Sequence, residues 1–402
     1  MDAEHSIGRR LREVRAWRGL SLRAVAELAG MTAGHLSNIE NGKRRVDKRS
    51  TLEALAAALR VAPSELAEQA FPAADRLTSE AHAAIAAVEE ALGDYELGQD
   101  AGVPVRPWGE VAADLHKLNT DIRPRADYIA QAFMVPRLIG DLHASYQGDP
   151  DNRRSALEGL MHTYHTAVVL AKNQGVQGLP QLAAFHARRV AEELDEPQWL
   201  GLAAWLRGNA TGGSGRSRQY ALSTAAAADL EPFMNAPEVV QIYGMLHLNA
   251  AMASAAQSNA EQARAHLDEA AGVAERLPED VNMFGHLYFG QTNVNVWRVC
   301  LGTELGDGAK VAEMARGVRP EVIPSAARQA AFHADLGRAT AGDRRTRPQA
   351  VQALVKAESI APQWTRNQPF VRETVVDLVR RARRDSVGRE LRGLAFRMGL
   401  AA

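Results

Sequence analysis

Apolar positions recur at intervals of three and four along most of this 402-residue chain. The strict alternation that marks half-buried strands is absent, so every periodic segment predicts a helix. Near the start the predicted helices are short. Ile7, Leu11 and Val14 line one face of the first. Ser21 stands as the cap of a second, expected to bury Leu22, Val25 and Leu28–Ala29, with Gly30 as the turn. Thr32 caps a third, with Leu36 and Ile39 inward and Asn41-Gly42 as its stop. Ser50-Thr-Leu-Glu53 has the spacing of a capping box opening a fourth, which carries Leu52, Leu55 and Leu59. Pro63 opens a fifth.

Beyond Phe71-Pro72 the segments lengthen. Helices are predicted near 78–93, then, after a Gly/Pro loop at 98–107, near 108–120, 125–147, 151–174, 179–194 and 197–208. A glycine-rich break at 211–215 precedes others near 216–230, 237–257, 260–277, 282–304, 308–317, 325–341, 347–360, 370–384 and 387–399. Small residues recur inside them. Ala350, Leu354 and Ala357, followed by Pro362, share a spacing with Ala263, Leu267 and Ala270. Leu222 and Ala225 offer a weaker third copy, and Gly-Asp-Gly-Ala-Lys-Val-Ala-Glu-Met-Ala a degenerate fourth. The expected fold class is all-α, with a body of divergent helical repeats over residues 108–402; the alternative is a non-repetitive helical body.

Composition agrees with the pattern. Aromatics make up only 5% of the chain, leaving a sheet little to pack with. The single cysteine, Cys300, excludes disulfide frameworks and Cys-based metal sites. There is no apolar leader and no run long enough to span a membrane, so a soluble, cytoplasmic protein is expected. Net charge is −1, but it is unevenly spread. Residues 1–60 carry twelve Lys/Arg and seven Asp/Glu side chains, a balance of +5 that leaves −6 for the remainder. A basic head on an acidic body is the asymmetry of a protein that meets nucleic acid at one end.

The stretch LREVRAWRGLSLRAVAELAGMTAGHLSNIENGKRR resembles the helix-turn-helix of Xre-type, phage-repressor-like regulators, over positions 7 to about 70. The resemblance includes Gly-Leu-Ser before the second helix, Val25-Ala26 within it, the closing Ile-Glu-Asn-Gly-Lys-Arg, and Arg15 and Glu40, which in that family pair between helices one and three. It implies a headpiece over 1–72 made of five helices. A third helix starting at Thr32 turns Ala33, His35, Ser37 and Asn38 away from its apolar face, toward a major groove. Lys43, Arg44 and Arg45 follow it and would grip phosphates, as would Arg23. Leu22 and Ala33 stand where family members often carry glutamines. Base readout is therefore expected to rest on His35, Ser37 and Asn38, with thymine-methyl contact or DNA shape adding to it.

The body resembles tetratricopeptide repeats, joined to the headpiece through a linker helix and loop at 73–107. Headpiece and body together resemble ligand-regulated repressors and activators of Gram-positive bacteria. That resemblance implies a homodimer on a pseudo-palindromic duplex and a peptide or small-molecule effector. Phe284, His286, Tyr288, Phe289, Gln291, Asn293, Asn295 and Trp297 crowd into 282–299 of an aromatic-poor chain. Amides bind peptide backbone through paired donors and acceptors, and an indole adds an apolar floor. The effector candidates are Asn249, His286, Tyr288, Gln291, Asn293 and Trp297; the competing use of these side chains is core packing and helix cross-linking. His162 and His165 are spaced for one helical face, but no carboxylate or Cys cluster joins them; the run Arg380-Arg381-Ala-Arg383-Arg384 reads as the solvated end of a helix, with a second nucleic-acid patch as the alternative. No metal, cofactor or catalytic constellation is predicted, which disfavours an enzyme. The alternative reading makes the body a protein–protein interaction scaffold without a small effector.

Overall fold

The computed structural model describes residues 7–67, 76–211, 215–385 and 388–400; the Phe71-Pro72 junction and the middle of the glycine-rich break lie outside them. The described residues form helices and no named strands.

Five short helices build the headpiece: α1 (Ile7–Trp17), α2 (Leu22–Leu28), α3 (Ala33–Glu40), α4 (Arg49–Leu59) and α5 (Pro63–Leu66). Ser21 Oγ accepts from the Ala24 N–H at 3.1 Å, and Thr32 Oγ1 from the His35 N–H at 3.1 Å. Each such cap is worth about 1 kcal/mol. Gly8 lets α1 and α3 close together, since a Cβ there would lie 2.1 Å from the Ile39 carbonyl oxygen. Two expectations fail locally. Leu28 is 66% exposed, because α2 ends with it and the chain turns away through Gly30, at φ 65°. The capping box at Ser50 does not form: α4 starts at Arg49, so Ser50 is already helical, and Glu53 pairs instead with Arg216 at 2.8 Å. The equivalent side-chain bond falls one helix later, where Glu65 Oε1 accepts from the Ala62 N–H at 3.0 Å.

The segment expected as a linker packs as the first helix of the body: in α6 (Arg76–Asp94), Ile85, Val88 and Leu92 enter the large core. The next helices are α7 (Trp108–Lys117), α8 (Tyr128–Gly148), α9 (Arg153–Asn173), α10 (Leu179–Leu194), α11 (Pro197–Ala210), α12 (Arg216–Leu230), α13 (Pro237–Ala256), α14 (Ala260–Ala274) and α15 (Gln291–Leu305). Then come α16 (Lys310–Met314), α17 (Ala326–Thr340), α18 (Arg347–Ile360), the unpredicted short α19 (Pro362–Arg366), α20 (Pro369–Asp385) and α21 (Arg389–Arg397). From α8 to α15 each helix packs on the next in chain order, as does α17 on α18. Ala263, Leu267, Ala270, Ala350, Leu354 and Ala357 are all buried at these contacts. The third copy does not hold, for Ala225 is exposed and α12 buries Gln219, Ser223, Ala227 and Leu230 instead.

The largest departure is at 282–290, expected to be helical. Here the chain makes a single-turn 3-10 helix and a bridge between Asn282 and Phe289. Phe289 is driven against Gly244, where a Cβ would sit 1.9 Å from the ring. Asp280 caps the helix that follows, accepting from the Thr292 N–H at 2.9 Å and its hydroxyl at 2.6 Å, so α15 begins only at Gln291.

Candidate nucleic-acid interface and inner cavity

Helix α3 buries Leu36, Ile39 and Glu40 and leaves Asn38 exposed, with Ala33, His35 and Ser37 half-buried. Ala33 packs against the headpiece core. Asn41 Nδ2 donates to the Ser37 carbonyl and to its hydroxyl, at 2.8 and 3.2 Å. Burial and the nearby Arg44 lower the His35 pKa against the opposing pull of Asp47. The helix is locked to α1 by a two-pronged ion pair, Arg15 Nε and Nη2 to the Glu40 carboxylate at 2.6 and 2.8 Å. Arg15 Nη1 also donates to the Leu20 carbonyl at 3.0 Å. Such forked pairs fix orientation as well as adding energy. Arg23, Thr32, Lys43 and Arg44 are exposed around this face.

Arg45 is the exception among the basic residues expected on phosphate. Its side chain is 9% exposed and turned into the body, pairing with Asp377 at 3.3 Å and donating to the Arg338 carbonyl at 3.0 Å. It belongs to an extended seam. The Ile7 N–H donates to Glu373 at 2.8 Å, Lys48 Nζ to the Leu305 carbonyl at 3.3 Å, and Arg380 to the Gly42 carbonyl. At its centre Glu304 accepts from the Arg49 backbone N–H at 2.9 Å and pairs with the Arg49 guanidinium. Arg338 binds the same carboxylate at 2.8 Å and donates to the Asp47 carbonyl at 2.8 Å. Burial pushes the Glu304 pKa up, but Arg49 and Arg338 outweigh it and hold the carboxyl down at about 2. Phe370, from α20, completes the headpiece core, with the Arg49 and Arg338 guanidiniums 5.5 and 4.8 Å from its ring. Arg381 stays with Asp377 at 2.9 Å; the Arg383 and Arg384 side chains lie outside the described residues.

Behind the seam the body holds a half-open cavity of about 380 Å³. That falls within the size range of small-molecule sites. Arg49 forms part of its wall, with Arg123, Lys172, Arg216, Arg328 and Arg338. Asn249, His286, Tyr288 and Trp297 line it, while Gln291 and Asn293 do not. Asn293 instead braces the strained loop: its Nδ2 donates to the Leu287 and Tyr288 carbonyls at 2.9 and 3.0 Å, and its Oδ1 accepts from Arg328 Nε at 2.9 Å. Asn249 has partners as well, accepting from Gln219 at 2.6 Å and donating to Ser223 at 3.2 Å. His162, His165 and His286 cluster around Arg123. Burial first, and then the Arg123 charge, take His162 to about 3 and His286 to about 2, with His165 also far below the usual value. Among the described residues no group of three His, Cys, Asp or Glu side chains is arranged to hold a metal. Nor is any helix there long and apolar enough to cross a membrane.

Sequence reasoning did not single out Arg49, Arg123, Lys172, Glu304, Arg328 or Arg338. The available signal was a charged residue interrupting an otherwise apolar helix face, as Glu304 does in Val-Cys-Leu-Gly-Thr-Glu-Leu.

Residues 6–69 match the helix-turn-helix domain family, so the chain carries that domain there. Over 83 residues the chain is 37% identical to the uncharacterized HTH-type transcriptional regulator RghRB of Bacillus subtilis strain 168, covering 19% of this chain and 60% of that protein. Over 56 residues it is 43% identical to the HTH-type transcriptional repressor RghR of the same strain, covering 14% and 42%. The chain thus spans less than two thirds of each of these relatives. Among solved structures it aligns with Bacillus thuringiensis PlcR in complex with the peptide PapR7 and DNA. That alignment covers 68% of this chain and 95% of the other, at 13% identity and a TM-score of 0.25, a value that does not establish a shared arrangement of the bodies.

Proposed function

We propose that this chain is a sequence-specific DNA-binding transcriptional regulator. Its headpiece is of the Xre type, and its tetratricopeptide-like body binds a peptide or small-molecule effector that controls the grip on DNA. Arg49 carries the proposal: it stands in the first turn of a headpiece helix, lines the cavity, and pairs with Glu304 of the body. An effector in the cavity meets the headpiece directly, and a difference in its affinity for docked and released states shifts their balance.

On DNA, α3 lies in the major groove with His35, Ser37 and Asn38 toward base edges, while Ala33, packed on the headpiece core, adds little to the readout. Arg23, Thr32, Lys43, Arg44 and Arg45 hold phosphates. Because Asp377 holds Arg45 in the docked form, docking is the weaker-binding state, and release adds one cation to the phosphate grip. A homodimer sets two recognition helices about 34 Å apart on a pseudo-palindrome.

The test is to select duplexes from a random library with the intact protein. Binding of the best duplex is then compared with a scrambled one for the wild type and for His35→Ala/Asn38→Ala. The double variant is expected to bind both alike and to remain salt-sensitive. Retained preference would show that another surface reads the sequence.

A further inference from the structure

The cavity wall is chemically lopsided. It presents six Arg/Lys side chains and one carboxylate, Asp335. Three of the cations are compensated: Arg49 and Arg338 by Glu304, Arg338 also by Asp335 at 2.7 Å, and Arg216 by Glu53. Arg123, Lys172 and Arg328 are not ion-paired, and of the three only Arg328 feels the Asp335 charge, at longer range. Among the described residues none of the three has a carboxylate within ion-pairing distance, and every partner shown is neutral. Arg123 meets Asn119 Oδ1 at 3.3 Å and His165 Nδ1 at 3.0 Å. Lys172 donates to Asn209 Oδ1. Arg328 bonds Asn293 Oδ1 at 2.9 Å and lies 4.5 Å from the Trp297 ring centre.

Enclosing a cation without a counter-charge is costly, so such an arrangement needs compensation from elsewhere. Lys172 sits at the exposed rim of the cavity, and the cost is visible in the half-buried Arg123, whose pKa burial lowers to about 10. Hydrogen-bond supply is equally one-sided. The Arg and Lys side chains of the wall are all donors, and its one carboxylate, Asp335, is already taken by Arg338 at 2.7 Å. Backbone strain collects in the same wall: His286 and Tyr288 each sit at φ 55°, in the left-handed region. Strain of this kind persists where surrounding structure holds it and gathers at ligand sites. Three of the chain's six tryptophans, Trp205, Trp297 and Trp364, supply apolar surface beside the charges.

We infer that the cavity is a site for an organic anion, a carboxylate or phosphate ester with an apolar portion. Its acid group is balanced by Arg123, Lys172 and Arg328, and its apolar portion lies beside the Trp205, Trp297 and Trp364 side chains. This rests on the effector reading and gives it a chemical class. An ionised acid is an acceptor only, which suits a wall rich in donors. Since Arg49 also lines the cavity, the bound acid draws on the cation that Glu304 uses to hold the headpiece.

The test uses the full chain and the fluorescent aromatic anion anilinonaphthalene sulfonate as probe. It is displaced by indoleacetate and, in parallel, by the neutral isostere indoleacetamide. One saturable site is expected, with indoleacetate displacing the probe and indoleacetamide at least about tenfold weaker. Arg123→Gln and Lys172→Gln should each weaken probe binding by about tenfold, and Lys172→Arg should retain it. Their melting temperatures are a second readout: removing an uncompensated cation should leave the fold as stable as the wild type or more so. Equal displacement by acid and amide, unchanged probe affinity in both neutral variants, absence of saturable binding, or a clear loss of stability in both would overturn the assignment. The effector reading fails separately. If the acid binds as described but leaves DNA affinity unchanged, the site stands and the regulation falls; if the amide binds equally and shifts DNA affinity, the reverse holds.

Discussion

The headpiece and the body handle charge in opposite ways. In the headpiece most charged side chains face solvent around a small apolar core, and its one forked pair, Arg15–Glu40, only fixes two helices against each other. The body turns charges inward: Glu304, Asp335, Arg338 and Glu358 are each under 9% exposed. Exposed charge costs little and is free to meet a polyanion. Buried charge is tied to a particular arrangement of partners, and removing one member leaves the others uncompensated. The two regions meet where this difference matters, because Arg45 and Arg49 are headpiece cations drawn into the body's buried network.

Breaking the seam should have the largest effect. Glu304→Gln leaves Arg49 and Arg338 without their shared carboxylate, and an uncompensated buried partner typically costs about 3–5 kcal/mol. We expect a marked drop in thermal stability, with headpiece and body melting separately where the wild type melts once; calorimetry reads both. Gly8→Ala is the counterpart confined to the headpiece. Its Cβ meets the Ile39 carbonyl at 2.1 Å, and overpacking of that kind costs about 1–3 kcal/mol. DNA binding should weaken while the body's transition stays in place, which circular dichroism and a binding titration together would reveal.

Acid should separate the regions more gently. His162, His165 and His286 stay neutral in the fold, with pKa values held well below the ordinary value of 6.5. The denatured chain binds more protons than the native one once pH falls below about 6.5, so stability declines as pH drops through that value. His165, 2% exposed, alone contributes about 1.4 kcal/mol per pH unit in that range. Melting curves from about pH 7.5 down to about 5.5 should show the body losing stability, partly offset by Glu373, whose carboxyl burial raises to about 7 so that the folded chain takes up a proton there.

Much of this was legible in the sequence, unevenly. Helix positions in the body follow the apolar period closely, and Ser21 and Thr32 announce caps that form. The third headpiece helix and the exposure of Asn38 were readable because local pattern determines them. The loop at 282–290 was not, because Phe289 packing on Gly244 and Asp280 capping Thr292 are contacts between segments that the local pattern does not pair. Four of the six effector candidates line the cavity, drawn out by aromatic and amide enrichment. The cations opposite them come from α4, α8's approach, α9, α12 and α17, and each appears in sequence as one more arginine or lysine. Arg45 reads as a phosphate contact beside Lys43 and Arg44, and only the fold brings it to Asp377.

The most direct test of the account is the salt dependence of DNA binding by the intact chain, with and without Glu304→Gln. It is measured on one selected duplex at a temperature where both proteins are folded. If docking withholds Arg45, the variant should bind more tightly and its logarithmic salt slope should steepen by about one phosphate contact. Equal affinity and an equal slope would contradict the account, showing that the headpiece meets DNA without regard to the body.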